Sequence, residues 1–179
     1  GSLSWTDEIQ HTNVSGEDQD LSHDRVTTLR FGTSLNKCAY GCIGVDLQFS
    51  RGLDFASRSQ SETGNGTPLS RSVAKAQFSH FVLDTNYRFS PIENYEFSLN
   101  SGGQYSFDDL LNSEQSSITG FNKLSGFTSG SISGDEAWYV RGQINRNFSL
   151  TNQIKLSPYV YCAAGVAYTL TPTAVENRS

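Results

Sequence analysis

From about residue 43 onward, apolar and polar residues alternate with a period of two, and the alternation persists over unusually long runs. Ile43, Val45, Leu47 and Phe49 alternate with Gly44, Asp46, Gln48 and Ser50. Tyr95, Phe97 and Leu99 alternate with Glu96, Ser98 and Asn100, and Tyr105 and Phe107 resume the pattern after Gly102-Gly103. Trp138, Val140, Ile144, Phe148 and Leu150 share one face, while Tyr139, Arg141, Gln143, Asn145, Asn147 and Ser149 share the other. Ile154, Leu156, Val160, Cys162, Ala164, Val166, Tyr168 and Leu170 continue the series. Successive side chains of a β-strand point to opposite faces, so each run is a strand with one apolar and one polar side. The runs 72–89, 93–107, 137–150 and 152–170 all exceed the usual strand of about 5–6 residues. A small soluble sandwich turns sooner.

The connections support an antiparallel up-and-down meander. Residues 88–94 (RFSPIEN) and 149–153 (SLTNQ) read as short turns, with Pro91 and Asn152 supplying turn chemistry. Residues 51–71 and 108–136 are long, rich in Ser, Gly, Asp and Asn, and poor in aliphatics. If strands alternate in direction, both long loops leave the sheet at one end. About seven strands are expected over residues 25–179. Residues 1–24 read as a polar leader with little regular structure beyond a short strand at Leu3–Ile9. Gly1-Ser2 has the look of a cloning remnant, which implies a start inside a longer protein.

Period two does not say which face is inside. A soluble lipocalin-like barrel turns its apolar face inward, whereas a membrane barrel lines its lumen with the polar one. The polar face here is mostly Asn, Gln, Ser and Tyr, and only 17% of the chain is charged. A water-facing exterior normally carries more charge, which favours the lumen assignment. No window approaches the ~18 apolar residues of a membrane helix, a fact without bearing on barrel strands.

Composition removes several other functions. The net charge is −5 and no Lys/Arg cluster occurs, so no nucleic-acid surface is expected. Cys38 and Cys42 flank Ala39-Tyr40-Gly41, where a local disulfide is open to them in an oxidising compartment. Cys162 sits among small apolar residues and reads as a packed thiol. His11, His23 and His80 are scattered, so neither a metal nor another cofactor is expected. Asp108-Asp109 and Asp135-Glu136 are paired acids in loops, and no nucleophile elbow, phosphate loop or metalloprotease helix is present. No enzyme is indicated.

One stretch carries a more specific signal. Gly103-Gln104-Tyr105-Ser106 is followed by Leu111 with Glu114-Gln115, then Leu124-Ser125-Gly126-Phe127, then Ile132-Ser133-Gly134-Asp135 leading to Trp138-Tyr139. Upstream stands DLQFSRGL at 46–53, and downstream Leu156-Ser157-Pro158-Tyr159-Val160-Tyr161. This ordered series, over about residues 25–175, resembles the outer-membrane transporters of two-partner secretion. These are the haemolysin-activator or TpsB branch of the Omp85 superfamily, and the similarity is to their C-terminal barrel portion.

The resemblance implies an outer-membrane β-barrel, or a reduced version of one, in a Gram-negative bacterium. It would export a secreted partner protein of TpsA type, a haemolysin or adhesin, in contact with outer-membrane lipid. It further implies a lid loop at Leu124, Ser125, Gly126 and Phe127, and a barrel-wall motif at Tyr161, Ala163 and Gly165. Gly134, Asp135 and Trp138 would form a loop-to-strand motif. The family pattern carries Arg where this chain has Ser125 and Asp where it has Ala163, and that pair is thought to lock the lid. Removing both members of a buried pair is far less costly than stranding one. Two rival expectations follow: a soluble all-β module holding a small apolar ligand inside, and a paralogue that no longer transports.

Overall fold

A computed structural model of the chain describes residues 1–14, 17–55, 57, 69–149 and 155–172. Seven antiparallel strands form one sheet in which each strand pairs with its predecessor in space. They are β1 (Ser2–Val14), β2 (Glu17–Cys38), β3 (Cys42–Leu53), β4 (Ser79–Phe89), β5 (Tyr95–Ser106), β8 (Glu136–Arg146) and β11 (Tyr159–Tyr168), in the order β1-β2-β3-β4-β5-β8-β11. Two ribbons interrupt the meander. β6 (Ser116–Ser117) pairs with β7 (Ser133–Gly134), and β9 (Phe148–Ser149) with β10 (Lys155–Leu156). The loops 54–78 and 107–135 leave the same end of the sheet, and the connections 39–41, 90–94 and 147–158 occupy the other. A disulfide joins Cys38 to Cys42 across the β2–β3 turn.

Register turns the alternation into two surfaces. Phe31, Phe49, Phe81 and Tyr105 lie on one rung across four strands. Leu47, Leu83, Gly103, Trp138 and Val166 make another, and Phe89, Phe97, Ile144 and Val160 a third. This apolar face stands open: Phe31, Leu47, Phe81, Trp138, Val140, Ile144, Val160 and Val166 are all exposed. The opposite face is polar, as on the rung Asn36, Gly44, Asn86, Asn100, Arg141 and Ala163.

Aromatic rings collect at both ends of the apolar face. Toward the long loops, Phe49, Phe81, Tyr105 and Phe107 touch at 4.9–5.9 Å between centroids. Toward the short turns, Tyr87, Phe89 and Phe97 stack at 5.2 Å. Phe81 and Phe89 lie eight positions apart on β4, about 27 Å along a strand at ~3.4 Å per residue. A tilt of ~40° reduces that to about 21 Å, close to the ~25 Å apolar band of membrane barrels.

Several boundaries differ from the sequence-based expectation. The polar leader assigned to residues 1–24 is instead β1 and the start of β2, forming a hairpin that reaches past the end of β3. The short strand expected at Leu3–Ile9 lies within β1, and beyond it the sequence is too polar to show a period-two signal; the ladder is made by backbone groups and needs none. The run expected from 72 enters the sheet only at Ser79. Leu69, Ala74 and Phe78 fold over the polar face, where they bury themselves with Val26, Leu110 and Leu111. Cys162, expected to be packed, is exposed on the apolar face. Leu150, Asn152 and Ile154 lie outside the described residues.

Candidate functional site: a loop docked on the polar face

The loop between β5 and β8 turns back over the polar face, with Leu110, Leu111, Ile118 and Leu124 buried beneath it. Its root is organised by Asp135, which is fully buried. The carboxylate accepts from Arg71 Nη1 at 2.8 Å, from the backbone N–H of Leu110 at 3.1 Å and Leu170 at 2.9 Å, and from Gln115 Nε2 at 3.1 Å. Arg71, itself 2% exposed, also donates to the Leu110 and Thr171 carbonyls. One carboxylate thereby ties together both limbs of the loop, the preceding long loop and the end of β11. Beside it, Glu114 accepts from Arg30 Nη2 at both carboxylate oxygens (2.7 and 2.8 Å) and from the Thr28 hydroxyl. Gln104 donates to the Glu114 and Asp135 carbonyls. Gly134 is buried and must be glycine, because a Cβ there would come within 2.6 Å of the Tyr168 carbonyl oxygen.

The tip of the loop reaches the middle of β8. The segment 118–124 closes on itself through a Thr119–Leu124 bridge, with Gly120 at φ 139°, a conformation side chains resist. Ile118 and Leu124 pack on Ala137, flanked by Tyr139, Ala163 and Ala167. Gly165 makes room for them: a Cβ there would stand 3.1 Å from the Cδ1 atoms of both. Arg141, directly opposite Ala163 and 4% exposed, grips the tip. Its Nη1 donates to the carbonyls of Phe121 (2.9 Å) and Lys123 (3.3 Å) and to Ser125 Oγ (2.9 Å). Nη2 donates to Gln143 Oε1, and the guanidinium lies 3.9 Å above the Tyr161 ring. Arginine suits this role because its planar fork both stacks and donates to several acceptors at once.

The family model described as "Haemolysin secretion/activation protein ShlB/FhaC/HecB" matches residues 3–174. The chain belongs to this family. It is similar to the "Hemolysin transporter protein HpmB" of Proteus mirabilis, 28% identical over 149 residues, which is 79% of this chain and 25% of that protein. The solved structure of "CdiB from Escherichia coli" superposes with a TM-score of 0.71 at 21% identity. That likeness, one of fold, covers 93% of this chain and 30% of the other. The chain therefore spans about a quarter of the length of HpmB and under a third of CdiB.

Within this family fold, the residues singled out from sequence fall into distinct places. Leu124 and Ser125 lie at the docked tip, whereas Gly126 and Phe127 (55% exposed) continue outward from it. Tyr161, Ala163 and Gly165 line the wall against which the tip rests. Gly134 and Asp135 form the loop root, and Trp138 stands on the opposite, apolar face, where its ring crosses Gly103. Sequence reasoning missed Arg141, Arg71, Arg30 and the segment Ile118–Phe121. The last carried a signal, because Ile118-Thr119-Gly120-Phe121 repeats the aliphatic–hydroxyl–Gly–Phe pattern of Leu124-Ser125-Gly126-Phe127. The left-handed glycine and the buried aliphatic–hydroxyl pair belong to the first copy; in the second only Leu124 is buried.

Proposed function

We propose that the chain is a wall section of an outer-membrane pore that passes an unfolded secreted partner protein, of haemolysin or adhesin type. The observation that carries this reading is the division of faces. An exposed apolar surface between two aromatic belts suits lipid, and the polar surface behind it suits a water-filled lumen. A soluble module with an apolar interior would need the opposite arrangement. No helix among the described residues is long and apolar enough to cross a membrane, so crossing would fall to the strands.

In this reading, loop 107–135 is a lid that narrows the lumen, and transport is passive, with no covalent step. Lid and wall meet through Ile118 and Leu124 over Ala163 and Gly165, and through Arg141. Ser125 and Ala163, where the family pattern has Arg and Asp, favour a transport-dead paralogue only if nothing else holds the lid. Arg141 answers that objection by supplying the cation from the wall, with lid carbonyls and the Ser125 hydroxyl as acceptors. Hydrogen bonds to a charged group contribute ~1.5–3 kcal/mol each.

Planar-bilayer conductance of the full-length protein tests this. Arg141→Ala should raise the fraction of time the pore conducts by about tenfold or more, in line with losing at least one such bond. Inserted protein with wild-type conductance after that substitution would sink the lid assignment.

A further inference from the structure

The apolar face is not uniformly filled. Near the short-turn end it holds a groove of about 430 Å³ lined by Phe97, Leu99, Gly142, Ile144, Val160 and Cys162, among others. Leu99, Gly142 and Cys162 form one rung, and Phe97, Ile144 and Val160 the next. Gly142 creates the depression, since nothing lies within 4 Å of the place its Cβ would occupy. The groove falls within the ~300–1,000 Å³ range of small-molecule sites.

One rung further toward the short turns, Tyr95 stands opposite Arg146. Arg146 shares the face of Ile144 and is exposed, with its guanidinium 5.2 Å from the Tyr95 ring centroid and 4.6 Å from that of Phe148. Among the described residues no acid pairs with it. An arginine on a lipid-facing surface is penalised least at the interface, where aromatic rings also collect. From Gly142 to Arg146 is four residues, about 14 Å of strand.

We propose that this groove and Arg146 bind one anionic phospholipid, its acyl chain over Gly142 and its phosphate on the Arg146 guanidinium. The groove offers almost no polar partner, which suits a hydrocarbon chain. At its end stands a cation whose planar fork of donors matches phosphate oxygens and whose orientation is held by two rings. Short turns of membrane barrels face the periplasm, so the lipid would come from the inner leaflet. The inference rests on the lipid-facing assignment of the apolar face made above.

The test uses the full-length protein in vesicles of phosphatidylglycerol and phosphatidylethanolamine in equal parts, followed by mild detergent extraction and native mass spectrometry. The wild type should retain one phospholipid per chain with a preference for phosphatidylglycerol. Gly142→Leu, whose Cβ would meet nothing within 4 Å and whose side chain would fill the groove, should abolish retention of either lipid. Arg146→Gln should keep the groove but lower the phosphatidylglycerol preference about tenfold, and Arg146→Lys should retain part of it. Wild-type retention and preference in both Gly142→Leu and Arg146→Gln would overturn the site. Flotation of the same vesicles is read separately: protein that fails to float contradicts the lipid-facing assignment itself, whereas flotation with unchanged retention contradicts only the site.

Discussion

Asp135→Asn is a nearly isosteric change whose consequences are set by what surrounds the carboxylate. Oδ1 accepts from Arg71, Leu110 N–H and Gln115, and Oδ2 from Leu170 N–H. An asparagine oxygen can replace only one of these positions. With the amide nitrogen at the other, two donors face each other and the Leu170 N–H is left without an acceptor, at a cost of about 1–3 kcal/mol. The Arg71 guanidinium, 2% exposed, loses its nearer carboxylate as well and keeps Asp109 at 4.0 Å. Breaking one side of a buried ion pair typically costs about 3–5 kcal/mol in total. The loss should appear at the root of the loop before it appears anywhere else, because β5 and β8 remain paired without it. Hydrogen exchange followed by mass spectrometry should show the segments containing Leu110 and Leu170 exchanging roughly 10²–10⁴ times faster, since every 1.4 kcal/mol is a factor of ten. Adding Arg71→Met removes the cation left with the weaker pairing, so the double variant should lose less than the sum of the two single ones. Wild-type exchange in Asp135→Asn, or strict additivity with Arg71→Met, would refute the reasoning.

Gly165→Ala places a methyl 2.8 Å from the Trp138 carbonyl and 3.1 Å from Ile118 and Leu124, which should weaken lid docking by about 1–3 kcal/mol. Trypsin cleavage after Lys123, which is half-buried in the docked loop, should then accelerate; unchanged cleavage would contradict the packing. Iodoacetamide added without reductant to the protein unfolded in urea should label Cys162 and leave Cys38 and Cys42 untouched, as peptide mass spectrometry will show. Closing so short a loop is worth about 2 kcal/mol in the chain-entropy account, so reduction should lower stability without unfolding the sheet.

The alternation was enough to read the long strands β3, β5, β8 and β11 and the division of each into two faces, because period two is a local property of the pleat. It revealed only the Leu3–Ile9 part of β1 and not the hairpin with β2, because the residues around the turn are polar and leave no alternation to read. Nor could it show that the loop 107–135 turns inward. That depends on partners far apart in the chain: Arg30 with Glu114 at a separation of 84 residues, Arg71 with Asp135 at 64. A charge in a sequence does not declare its partner. Arg141 was visible as the cation among Tyr139, Gln143 and Asn145, but its role exists only once the loop tip has arrived. Cys162 misled because small apolar neighbours look the same whether they face a core or stand on the open side of a sheet.

The central claim is that one face of the sheet meets lipid and the other meets water. Tryptophan quenching in vesicles tests it residue by residue, with the protein's other tryptophans replaced by phenylalanine. Trp138 stands on the apolar face and Tyr139 on the polar one. Fluorescence of Trp138 should be quenched by lipids with brominated acyl chains and little affected by iodide, whereas Tyr139→Trp in a Trp138→Phe background should show the reverse. Equal quenching at the two positions, or iodide reaching Trp138 more readily than the brominated lipids do, would contradict the account.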